Sequence, residues 1–323
     1  MDGVRLVVLD MKAPEFRAHL TALNPGLVIH CVGPFQGQDY RVVQAALASG
    51  AHYLDLADGR DFVARFPAAN DAAARAADRI ALSGASTLPA LSSAVIDALC
   101  GPLRMVDRIE LAIAPGQRAP RGVATLAGVF SYLGRPIPVW RNGQWKRVWG
   151  WMDLRRLRLD IGNRWAAACD VPDLALLPER YPGVSNVEFH AALEFGIQHF
   201  ALYSLAALRR VGLPLPVERM ASGLNHMAKI FDRWGGPAGG MRVSIEGRRT
   251  DGMSLRRTWQ LSAPALNGPE VPCMAAILLA RRIARGEVAV RGAHACMTYL
   301  TLDDFEPEFA RWDIRTRIED VAL

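Results

Sequence analysis

Between residues 27 and 62 the chain can fold in very few ways. Residues 27–32 (Leu-Val-Ile-His-Cys-Val) are a short apolar run rich in branched side chains, the pattern of a strand buried on both faces. Gly33-Pro34 stops it, because glycine tolerates unusual dihedrals and proline cannot donate to a ladder. Residues 39–49 then place Tyr40, Val42, Val43, Ala46 and Leu47 at helical spacing, and Gly50 supplies a C-terminal stop. Residues 53–56 form the next strand, ending at Asp58-Gly59. Strand, helix and strand at these lengths make one βαβ unit with a right-handed crossover. Loops at the carboxyl ends of such strands are where open α/β sheets bind ligands.

The same stretch carries a resemblance. Cys31-Val-Gly-Pro-Phe35, then Gly50-Ala-His-Tyr-Leu-Asp-Leu56, then Ser83-Gly-Ala-Ser-Thr-Leu-Pro-Ala-Leu-Ser92 resemble the saccharopine dehydrogenase-like oxidoreductase family. The resemblance runs from about Val4 onward, and it is to a broad family rather than to one enzyme. It implies a Rossmann-like sheet in which residues 4–9 correspond to the third strand. The phosphate-binding turn, its helix and the second strand would then all lie before Met1. It also implies NAD or NADP as cofactor and hydride transfer at a carbon–nitrogen or similar polarised bond of a small molecule. By the resemblance Gly33, Pro34 and Phe35 face the nicotinamide ribose, and the small residues Gly84, Ala85 and Ser86 let a flat ring approach the backbone. Asp55 and Asp58 read either as cofactor ligands or as carboxylates capping the next helix. No Gly-x-Gly-x-x-Gly follows a strand anywhere in the chain; the glycines of residues 235–240 flank a proline and follow no apolar strand.

Along the rest of the chain, residues 4–9 read as a strand, 13–23 and 62–78 as helices, and 80–83 as a strand. Ser92 or Ser93 is placed to cap a helix reaching residue 103, and residues 106–114 alternate as a half-buried strand. Pro115-Gly116 and Pro120 suggest a linker. The expected organisation is α/β: a partial, N-terminally truncated Rossmann-like parallel sheet over residues 1–118, followed by an α+β domain over 119–323. Asn142-Gly143 and Asp251-Gly252, each between apolar runs, predict two hairpins in that second part. Residues 122–133, 195–211 and 271–285 predict helices, and one face of the sheet is expected to be covered.

Composition excludes several classes. A chain of 323 residues, 51% hydrophobic and 22% charged, is long enough for two domains with a sizeable core. The net charge of +6 is almost all arginine, since Lys12, Lys146 and Lys229 are the only lysines, and it is spread without the basic runs of a nucleic-acid surface. Cys31, Cys100, Cys169, Cys273 and Cys296 show no metal-ligand spacing, so no metal and buried free thiols in a reducing, cytoplasmic setting are expected. Met1-Asp2-Gly3 leads directly into the expected strand at residues 4–9, so no secretory leader is expected. Residues 195–208 are the most apolar stretch but fall short of the roughly 20 residues of a membrane span. A core or interface helix is the stronger reading and a membrane-surface role the weaker one.

For proton transfer the candidates are Asp170, His190, Glu194 and His294, residue types able to donate or accept when burial tunes them. Trp140, Trp145, Trp149, Trp151, Trp165 and Trp259 cluster in the second part, as core or as walls of an apolar substrate cavity. No Gly-x-Ser-x-Gly elbow of a serine hydrolase is present. A small-molecule substrate and a homodimer fit this reading; the alternative is a non-catalytic binding or dimerisation protein that has lost its cofactor.

Overall fold

The computed structural model describes residues 3–120, 122–217 and 220–323. In chain order the first elements are α1 (Phe16–Leu23), β1 (Leu27–His30), α2 (Arg41–Ala48), β2 (His52–Asp55), α3 (Arg60–Ala76), β3 (Ile80–Ser83) and α4 (Ser92–Cys100). There follow β4 (Leu103–Ala114), α5 (Val123–Tyr132), β5 (Pro136–Arg141), β6 (Gln144–Trp149), β7 (Arg155–Leu159), β8 (Gly162–Ala168), α6 (Asp173–Arg180) and β9 (Asn186–Ala192). The last part holds α7 (Gly196–Arg210), α8 (Ala221–Lys229), β10 (Gly239–Arg249), β11 (Ser254–Ala263), α9 (Val271–Ala284), β12 (Gly292–Ala295), α10 (Leu302–Arg311) and β13 (Arg315–Ala322).

β1, β2, β3 and β12 form a parallel sheet in that order. Alternation along its central strands explains why both faces are covered. Tyr53 and Ala81 point to a core with α1, α2 and α3, where Phe16, Val43, Phe62 and Phe66 pack. Leu54, Ile80 and Leu82 point the other way, to a core shared with α4, α9 and the second sheet. Each such large apolar side chain contributes about 1.5–3 kcal/mol by leaving water.

The second sheet is mixed, in the order β13-β11-β10-β4-β9-β5-β6, with the β7–β8 hairpin attached to β9. Ile109, Leu111, Val243, Ile245 and Trp259 fill one face. The opposite face is charged, with Glu110, Glu188, Arg141, Arg155 and Arg242 in ion pairs.

Several expectations change. Residues 4–9 form no ladder, and Leu6 and Val8 are 94% and 99% exposed. A strand needs a neighbour, and among the described residues none pairs with the outer side of β1. β1 is accordingly an edge strand with Ile29 exposed, not a strand buried on both faces. Two strands also cross the expected division at residue 118: β4 belongs to the mixed sheet, and β12 joins the parallel one from the far end of the chain. Ser92 and Ser93 lie inside α4, donating to Pro89 and Ala90 carbonyls, because a π-turn over Thr87–Leu91 leads straight into the helix. Both hairpins form. Asn142 and Gly143 take φ of 54° and 68°, whereas in the second turn only Gly252 is left-handed, at 85°.

All five cysteines are free, with Cys31 exposed rather than buried. No helix among the described residues is long and apolar enough to cross a membrane. α7 buries His199 and Ala206 and leaves Ile197 and Phe200 exposed, so it is a half-buried helix.

Candidate cofactor cleft at the rim of the parallel sheet

Parallel pairing places the carboxyl ends of all four strands on one rim, with His30 opposite Asp55 and Ala295 opposite Ser83. The turns after β1 and β3, carrying Gly33 and Gly84, therefore share that rim, separated by β2. A cleft of about 140 Å³ opens there, lined by Cys31, Gly33, Pro34, Phe35, Leu56 and Asp58, with Ala124 and Thr125 of α5 as its far wall.

The walls are fixed by local bonds. The Gly33–Pro34 peptide is cis. Gln38 Nε2 donates to the carbonyls of Val32 and Pro34, at 2.8 Å each, which closes the turn on itself. Phe35 is buried, its ring 5.0 Å from His30 and 5.4 Å from Phe62, so the turn is anchored in the core. A Cβ at Gly33 would meet Ala124 at 3.6 Å, so the bare backbone leaves room between the turn and α5. Asp58 is exposed at the mouth of this recess and accepts from Gln36 Nε2 at 3.3 Å; the protein packed around its base raises its carboxyl somewhat, the Gln36 bond opposing.

Asp55, Gly84, Ala85 and Ser86 do not line the cleft; all four are buried. Asp55 is a staple between strands. Its Oδ1 accepts from the N–H groups of Gly84 (2.7 Å) and Ala57 (3.0 Å) and from the Ser83 hydroxyl (3.0 Å). Burial pushes it up to about 6, those three donors and the Tyr53 hydroxyl opposing the shift. Gly84 has φ of +80°, and a Cβ there would clash with the Pro89 ring, so glycine is required twice over.

The proton-transfer candidates are scattered. Asp170 is raised by burial and opposed by Arg60, whose Nη1 bonds it at 3.1 Å and also donates to the Pro138 carbonyl at 2.6 Å. Glu194 accepts from the backbone N–H groups of Gln117 and Gly236, at 3.0 and 2.8 Å, which is a loop-fixing role. His294 on β12 has Nε2 at 3.2 Å from the Arg291 carbonyl and packs beside Asp71 and Arg75 in the C-terminal half of α3, away from the rim. His190 is buried on the charged face of the mixed sheet, 3.7 Å from Asp153. Asp153 is held low by His190 and by Arg141, with burial opposing. Asp153, Glu188 and His190 bring potential metal-ligand atoms within 4.8 Å of one another. Arg141 bonds both carboxylates and Arg155 reaches Glu188 at 2.5 Å, so guanidinium groups already neutralise this cluster. Of the tryptophans, Trp151 and Trp259 are core; Trp145 is half exposed with the Arg60 guanidinium 5.4 Å over its ring.

A second, larger cleft of about 370 Å³ lies beyond β1, between residues 11–14, α1 and α2. It carries Lys12, Arg17 and Arg41, the last held by Asp39 through Nε at 2.8 Å. Neither this cleft nor the α5 wall was foreseen, because both depend on contacts between segments that carry no local motif.

The rim cleft and the two sheets together define a saccharopine dehydrogenase-like α/β fold. Apo saccharopine dehydrogenase (L-Glu forming) from Saccharomyces cerevisiae matches with a TM-score of 0.66 at 10% identity, over 99% of this chain and 90% of that one. An engineered D-amino acid dehydrogenase bound to NADP+ matches at 0.44 and 16% identity, over 93% and 88% of the two chains. The DAP dehydrogenase of C. glutamicum in complex with DAP matches at 0.45 and 15%, with the same coverage. The likeness is one of fold. No protein-family model and no curated protein sequence matches the chain.

Proposed function

We propose that this protein is an NAD(P)-dependent oxidoreductase of the saccharopine dehydrogenase-like kind, acting on a carbon–nitrogen or similar polarised bond of a small molecule in the cytoplasm. The observation that carries the reading is the rim cleft, where a bare-backbone turn at Gly33 faces Ala124 and Thr125 and an up-shifted Asp58 opens between them.

These residues fit the nicotinamide end of the cofactor. Small side chains admit a flat ring against the turn of Gly33, Pro34 and Phe35, and Lys12 and Arg17 in the larger cleft offer positive charge for phosphate, Arg41 there being paired with Asp39. Bound there, the nicotinamide supplies or accepts the hydride. Asp58 holds or releases the substrate proton, and α5 shields the cleft from water. Asp55, Gly84, Ala85 and Ser86 support the floor from behind. In this reading the parallel sheet serves the cofactor and the mixed sheet the substrate, with β4 and β12 tying the two parts expected over 1–118 and 119–323.

The alternative reading is a protein that keeps the fold for binding alone. Calorimetric titration with NADH and NADPH decides between them. Saturable binding with Kd on the order of micromolar supports the enzyme. No heat at about millimolar cofactor refutes it and leaves the binding protein.

A further inference from the structure

β13 is the last strand of the mixed sheet, and all of its residues from Arg315 to Ala322 are exposed. Its pairing with β11 shows which backbone groups are free. Leu255 lies opposite Ala322, and Leu323 N–H donates to the Ser254 carbonyl at 3.1 Å. In an antiparallel ladder hydrogen-bonded residues alternate, so residues 315, 317, 319 and 321 turn their polar groups toward β11. Thr316, Ile318 and Asp320 turn theirs to the open edge.

The side chains fit one occupant. Ile318 shares the apolar face with Trp259 yet is 47% exposed, while Arg317 and Glu319 stand on the charged face. A two-fold axis perpendicular to the sheet keeps each copy's faces aligned, so it must pass through a residue rather than between two. With the axis at residue 317 or 319, Arg317 or Glu319 would oppose itself. With the axis at Ile318, Arg317 of each copy lies opposite Glu319 of the other, and the two Ile318 side chains meet. That same register makes Ile318 a hydrogen-bonded pair with its copy, flanked by two hydrogen-bonded pairs of Thr316 with Asp320. Asp160 grips Arg317 through Nε at 2.8 Å and Nη2 at 2.6 Å, and Nη1 reaches Glu319 of its own strand at 3.3 Å, so the register about Ile318 sets two such Arg317–Glu319 pairs against each other with opposite charges adjacent. Among the described residues the sheet's other edges, β6 with Lys146 and Arg147 and β7 with Arg155, Arg156 and Arg158, gather positive charge that disfavours a second copy.

We infer that β13 pairs antiparallel with β13 of a second copy of this chain about an axis at Ile318, joining two mixed sheets into one.

Sedimentation equilibrium on the full chain over about 1–200 µM tests this. The expected result is a monomer–dimer equilibrium that Glu319→Arg weakens at least about tenfold, because Arg317 then faces arginine. Ile318→Pro removes the central outward N–H and should abolish the dimer. Should Ile318→Pro fail to fold, Glu319→Arg decides alone, since its position is exposed and its melting curve should match wild type. A wild-type monomer throughout, or a dimer indifferent to Glu319→Arg, overturns the inference.

Discussion

The Asp55 staple makes a sharp forecast. Replacing Asp55 by alanine strands three donors in a fully buried place: the N–H groups of Ala57 and Gly84 and the Ser83 hydroxyl. An unsatisfied buried donor costs about 1–3 kcal/mol, so Asp55→Ala should lose at least about 3 kcal/mol. The losses share one pocket and need not add in full. Asparagine keeps the accepting oxygen and removes the buried charge, so Asp55→Asn should stay within about 1 kcal/mol of wild type below pH 3.8, where the carboxyl is protonated. The carboxyl is raised to about 6 in the folded protein against 3.8 as its ordinary value. Its contribution to stability is therefore complete below pH 3.8 and declines as pH rises through 6. Wild type should lose ground to Asp55→Asn between those limits and hold a constant deficit above them, up to about 3 kcal/mol. Urea unfolding at pH 5 and pH 8 measures all three proteins. An Asp55→Ala variant as stable as Asp55→Asn would show that the three donors are not held by this carboxylate.

Other variants separate support from function. Gly84→Ala should cost more than about 2 kcal/mol, from strain at positive φ and overpacking against Pro89, read as a lower urea midpoint. Gly33→Ala has room and should melt within about 0.5 kcal/mol of wild type, while the proposed nicotinamide site predicts weaker NADPH binding by calorimetry. Asp173 is fully buried, accepts from the Ser92 hydroxyl, and is raised to about 7 by burial. Asp173→Asn should therefore gain stability over wild type as pH climbs from 4 to 8, a trend that thermal melts across that range would reveal. Arg60→Met cuts the bonds to Asp170 and the Pro138 carbonyl and leaves the carboxylate without its cation, costing about 2–4 kcal/mol in chemical denaturation.

The βαβ unit was legible because its signals are local: branched apolar runs, helical spacing, and glycine at Gly50, which takes φ of +78°. Asn142-Gly143 announced its hairpin for the same reason. Gly-Ala-His-Ala at β12 has no strand-like residue pattern and is a strand only because β3 offers it an edge. Residues 4–9 show the converse, a good strand pattern with no partner. At the cleft, the Gly33 turn was readable as a motif. The Ala124–Thr125 wall was not, since alanine and threonine carry no signal until the fold sets them opposite glycine. Asp55 could be read from sequence as a ligand or as a structural carboxylate. Its three donors give it a structural role, though across strands rather than at a helix start.

The placement of β12 bears on how the protein is made. A ribosome that has released the first 118 residues has delivered β1, β2 and β3 but not the strand that closes the edge of β3. That edge must wait until β12, at Gly292–Ala295, has been made, and a shortened polypeptide ending near residue 118 would keep it bare and prone to clump.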